Sequence, residues 1–139
     1  MNILNIKNQD IKQIIEDSIK ETQELLKGLD YNQTCLIYSS LLFEILRRKN
    51  ILVHIINTKD LGYYEHQFLL VYDGINYYLI DLTYKQFNNK YLNNLLANNY
   101  TLIDDFNFNK YLQIITNSNL SINLSDIFVY RGNNGIKKI

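Results

Sequence analysis

Apolar residues recur at helical spacing through the first third of this chain and then switch to runs of strand length. Ile11, Ile14, Ile15, Ile19, Leu25 and Leu26 approximate one stripe, so residues 9–27 are predicted to form a first helix. Asp10 is its expected cap and Gly28 its expected stop. A polar loop, 29–33, leads to a second predicted helix over 35–49. There Tyr38, Leu41, Leu42, Ile45 and Leu46 face a core, and Ser40, Glu44, Arg47 and Arg48 take the other side. Thr34 is the natural N-cap, since its hydroxyl can accept from an amide of the first turn.

Ile51-Leu52-Val53-His54-Ile55-Ile56 reads as a central strand, with His54 a structural histidine inside it. Residues 58–65 form a loop whose Tyr63 and Tyr64 are candidates for a cleft rim. Then two apolar runs flank Asp73-Gly74, the strongest short-range signal for a two-residue hairpin turn. With Asp73 and Gly74 at the centre, Tyr72 pairs with Ile75 and His66 falls opposite Asp81. One face of the hairpin carries His66, Phe68, Leu70 and Tyr72 against Asp81, Leu79, Tyr77 and Ile75. The other carries Gln67, Leu69 and Val71 against Leu82, Ile80 and Tyr78. Both faces are largely apolar, so the hairpin should be covered on both sides.

Beyond it the pattern weakens into Asn-rich loops. Tyr91, Leu92, Leu95 and Leu96 suggest a short helix. Asp104-Asp105 open another, with Phe108, Tyr111, Leu112 and Ile115 as its apolar side. Ile127-Phe128-Val129-Tyr130 reads as a last strand before a polar tail containing Gly132 and Gly135. No internal repeat or linker divides the chain, so 1–139 is expected to be one α+β domain.

Composition changes this picture little. Apolar residues make up 47% of 139 positions, enough for a real core. Formal charge is zero and no basic stripe occurs, which argues against nucleic acid as a partner. No stretch is apolar enough to span a membrane, and Met1-Asn2-Ile3-Leu4-Asn5 does not begin a Sec signal. The single cysteine excludes an internal disulfide and fits a reducing compartment. The expected setting is the cytoplasm, or a target cell into which the protein is delivered.

Three residues carry the candidate chemistry. Cys35 opens a helix, where unpaired amides and the helix dipole favour a thiolate. The bland alternative is an inert, buried cysteine acting as a small hydrophobe. His66 beside Asp81 supplies an imidazole whose tautomer a carboxylate can fix; the alternative is that Asp81 only caps the turn through Thr83. One Cys and two His make a structural zinc site improbable, and no cofactor motif occurs.

The order of these residues resembles the transglutaminase-like and papain-like cysteine hydrolases. Thr34-Cys35-Leu36-Ile37-Tyr38-Ser39-Ser40-Leu41-Leu42 looks like their nucleophile helix, and His66 matches their histidine. Ile80-Asp81-Leu82-Thr83 is similar to an Asp-Pro-Thr motif with leucine for proline. Asp81-x-Thr83-x-x-Gln86-Phe87 resembles papain-fold toxin domains and effectors that deamidate host glutamines. The resemblance covers roughly residues 30–90. It departs from the family in lacking a glutamine at the usual oxyanion position, where Leu29 and Asp30 stand, and in carrying Leu36 and Gln67 where aromatics are usual.

The resemblance implies N-terminal helices, one bearing the nucleophile, packed on a small antiparallel sheet in a papain-like core. It implies a Cys35–His66–Asp81 triad, with Asn32, Gln33, Thr34 and Gln86 as oxyanion or substrate candidates. Cofactor and metal are not needed. The substrate would be a protein or peptide carboxamide, deamidated at glutamine, cleaved as a peptide bond, or transamidated. A catalytically silent binding or immunity module on the same fold is the alternative.

Overall fold

A computed structural model describes the backbone of residues 3–29 and 35–133, and the side chains of 11–29 and 36–128. Among the described residues there are five α-helices and one four-stranded antiparallel sheet, an α+β fold. The order is α1 (Ile3–Leu25), α2 (Cys35–Arg48), β1 (Val53–Asn57), β2 (Gln67–Tyr72), β3 (Tyr77–Ile80), α3 (Lys90–Leu95), β4 (Tyr100–Ile103), α4 (Asp105–Thr116) and α5 (Leu124–Asn133). Strands β1 to β4 lie side by side in chain order. Strand β1 is therefore an edge strand, not the central one its apolar run suggested.

Two separate cores cover the sheet, as the two apolar faces of the hairpin require. Ile11, Ile15 and Ile19 of α1, with Tyr38, Leu42 and Leu46 of α2, pack on Leu69, Val71, Tyr78 and Ile80. On the opposite face Leu92 of α3, Phe108, Tyr111 and Leu112 of α4, and Leu124, Ile127 and Phe128 of α5 pack on Phe68, Leu70 and Leu79. His54 lies in this second layer, buried and stacked on Phe128 at 4.1 Å between ring centroids, which suits a packing role.

Several boundaries differ from expectation. Helix α1 begins before Asp10, so Asp10 is not its cap. Leu25 is 63% exposed, and the polar Ser18 and Thr22 fill the buried stripe instead. Gly28 does end the segment, at φ +96, a conformation that only glycine adopts without strain. Asp104 caps α4 by accepting from the Asn107 amide at 2.9 Å. Residues 127–130 are helical, not a strand. Leu124, Ile127 and Phe128 stand at i, i+3 and i+4, a helical spacing that outweighs the β-branched composition of so short a run.

The hairpin register is also corrected. Tyr72 pairs with Tyr77 and Leu69 with Ile80, so the loop holds four residues, Asp73-Gly74-Ile75-Asn76, not two. Asp73 Oδ1 accepts from the amides of Ile75 at 2.9 Å and Asn76 at 2.7 Å, and Gly74 takes φ +101. The aspartate side chain thus closes the wider loop in place of a tight turn. A slip of two residues preserves which face each side chain occupies. His66 and Asp81 therefore stay on the same face, but as diagonal neighbours.

Candidate active site

His66 immediately precedes β2 and Asp81 immediately follows β3. Continuing the observed register sets Phe68 across from Asp81 and Thr83 across from His66. The diagonal remains within reach: His66 Nε2 lies 2.8 Å from Asp81 Oδ2. Both residues are buried, at 3% and 2% exposure. An ion in such surroundings is costly unless its lone pairs are filled.

Asp81 meets that requirement with four donors. Oδ1 accepts from the Thr83 amide at 3.0 Å and the Thr83 hydroxyl at 3.3 Å. Oδ2 accepts from His66 Nε2 and, at 2.7 Å, from the phenol of Tyr111 on α4. A carboxylate has about four lone-pair sites, so Asp81 is saturated as an anion. The same bonds fix the neutral imidazole as its Nε2–H tautomer. Proton exchange with any other group then falls to Nδ1.

The backbone of His66 is held as firmly. Thr58 follows β1, fully buried, and its hydroxyl accepts from the His66 amide at 2.9 Å. The Thr58 amide donates to the His66 carbonyl at 2.9 Å, and the Thr58 hydroxyl also donates to the Tyr64 carbonyl. Residues 58–65, read as a plain loop, thus form a stapled Ω-like excursion that opens with the short 3₁₀ turn Thr58–Leu61 and closes on His66. Tyr64, at its outer end, is exposed.

Phe87 meets the imidazole edge-on at 4.8 Å. Gln86 turns its amide toward the same ring: Nε2 donates to the Thr83 carbonyl and hydroxyl, both at 3.1 Å, and lies 3.4 Å from His66 Nδ1. Of the four oxyanion or substrate candidates, Gln86 is therefore placed beside the imidazole. Asn32, Gln33 and Thr34 lie outside the described residues. Cys35 is the first residue of α2, and its side chain is likewise outside them.

Helix α2 packs on the face opposite Tyr111, yet its first turns reach the end of the sheet from which His66 and Asp81 emerge. Tyr38 and Ser39 line a seam there of about 10 Å³ together with Gln67, Asp81 and Thr83. Among the described residues, no three His, Cys, Asp or Glu side chains are grouped to hold a metal ion. No helix among them is long and apolar enough to cross a membrane.

No family model matches this chain, and no curated protein or solved structure matches it either. The site must be read from its own geometry. Sequence reasoning missed Tyr111, which the helical stripe had assigned to the core. The signal was present all the same: a buried Asp needs more donors than one imidazole, and a buried Tyr needs a partner for its hydroxyl.

Proposed function

We propose that this chain is a cysteine-dependent amidohydrolase with a papain-like or transglutaminase-like core. Cys35 is the nucleophile, His66 the proton carrier and Asp81 its orienting anion. The observation that carries the reading is the buried His66–Asp81 pair at 2.8 Å, with the aspartate saturated by four donors. A histidine locked in one tautomer by a desolvated carboxylate is the arrangement that general acid–base chemistry uses. Support for the nucleophile is positional: Cys35 opens α2, where first-turn amides lack intrahelical acceptors and favour an anion.

In the proposed reaction Nδ1 of His66 takes the thiol proton, and the thiolate attacks a carboxamide carbon. The amide of Cys35 and one further donor stabilise the oxyanion, a contribution of about 10²–10³ in rate per donor. The C–N bond breaks, ammonia leaves with the proton from Nδ1, and a thioester remains. Water, deprotonated by Nδ1, then releases the carboxylic acid and restores the thiol. Applied to a protein glutamine, the sequence of steps is a deamidation of the toxin or effector type.

Ammonia release from glutamine-containing proteins and peptides tests the proposal. Wild type should release ammonia without cleaving the chain, and Cys35→Ser and His66→Ala should release none. Asp81→Asn should retain measurable turnover, losing less than the about 10⁴ seen for the equivalent change in a serine triad. Peptide cleavage in place of ammonia release would reassign the protein as a peptidase. Activity surviving in Cys35→Ser would remove the thiol mechanism.

A further inference from the structure

We propose that Tyr111 is a positioning residue that sets the proton affinity of His66 through Asp81. The inference rests on the reading of His66 and Asp81 as a catalytic pair, and its test does not need turnover. Tyr111 comes from α4, thirty residues beyond Asp81, and is fully buried. Its ring is fixed edge-on against Phe68 at 5.1 Å, which aims the phenol at the carboxylate. The hydroxyl donates at 2.7 Å to Oδ2, the very oxygen that receives His66 Nε2 at 2.8 Å.

Two donors on one oxygen compete for its charge. The phenol draws negative charge away from the imidazole, weakening the hold of Asp81 on a proton at His66. Thr83 satisfies the other oxygen and leaves that competition untouched. Among the described contacts the titratable groups bearing on the imidazole are Asp81 directly and Tyr111 through it. Gln86, Thr83, Phe68 and Phe87, which also lie around the ring, carry no charge. The phenol therefore keeps His66 from being locked in its protonated form, so that it can both take and return a proton.

Nuclear magnetic resonance of the His66 ring tests this in Tyr111→Phe, which keeps the ring and removes only the hydroxyl. The His66 titration midpoint should rise by about one unit and the Nε2–H proton should move downfield, because Oδ2 then serves one donor. Site-specific 3-fluorotyrosine at position 111, a stronger donor, should shift both in the opposite direction. Tyr91→Phe is the control: it removes a comparable hydroxyl, bonded to Asn107 at 2.6 Å, and should leave both unchanged. Circular dichroism confirms that each variant is folded. Identical His66 signals in wild type and Tyr111→Phe, or equal shifts in Tyr91→Phe, would overturn the proposal. Loss of Cys35 reactivity with these shifts intact would instead count against the thiol reading alone.

Discussion

Replacing Asp81 by asparagine tests the site through a conflict of donors. The carboxylate serves four donors, and one of them, the Thr83 amide, is backbone and cannot turn away. If the new amide put its NH₂ toward Thr83, two donors would face each other in a dry interior. The carboxamide oxygen must therefore stay with the Thr83 amide and hydroxyl, leaving the NH₂ toward His66 and Tyr111. The phenol can rotate and accept. The imidazole can accept only by moving its proton from Nε2 to Nδ1. Four charge-assisted bonds become neutral ones, each weaker by about half. Hydrogen bonds to charged groups contribute about 1.5–3 kcal/mol against about 1 for neutral ones, and the relocated Nδ1–H then faces the Gln86 amide nitrogen, itself a donor, 3.4 Å away. A loss of at least about 2 kcal/mol follows, or about 6–8 °C or more in Tm for a domain of this size. Asp81→Leu, which strands all four donors, should cost about 4 kcal/mol or more. Urea denaturation gives the free energies, and long-range ¹H–¹⁵N correlation reports the tautomer. A folded Asp81→Asn protein within about 0.5 kcal/mol of wild type, still Nε2-protonated, would refute the reasoning.

Two further outcomes follow from the same structure. Burial, aided by its 2.7 Å hydrogen bond to Glu16, pushes the Tyr100 phenol up to about 12. A raised folded-state value means that the native state holds this proton more tightly, so the stabilisation is complete below pH 10 and is lost as pH rises toward 12. The stability difference between wild type and Tyr100→Phe, measured by denaturation across that window, should shrink steadily; a constant difference would contradict the assignment. Thr58→Ala removes the hydroxyl that receives the His66 amide and should cost about 1–3 kcal/mol, with Thr58→Ser restoring most of it. Failure of serine to rescue in a denaturation series would mean that the Thr58 methyl, not its hydroxyl, does the holding.

How much was legible in the chain varied with the kind of signal. The hairpin faces were readable because side-chain alternation survives a two-residue error in loop length. The loop itself was misread because Asp-Gly favours a tight turn, while here the Asp73 carboxylate caps two amides and widens it. Helices α2 and α4 carry long stripes and were placed within a residue or so. Strand β4 was missed: its four residues sit between the Asn98-Asn99 turn and the Asp104 cap of α4, and its place in the sheet comes from pairing with β3, a long-range fact. Tyr111 was visible only as an apolar-stripe residue, since nothing local to α4 names a partner thirty positions upstream.

The most direct measurement of the central claim is the rate of Cys35 alkylation by iodoacetamide as a function of pH, in wild type and in His66→Ala. A helix-opening cysteine served by His66 should label with a midpoint well below the ordinary thiol value of about 8.5. In His66→Ala the midpoint should return toward that value. A wild-type midpoint at or above about 8.5, unmoved by His66→Ala, would make Cys35 a packing residue and leave His66 and Asp81 a structural pair.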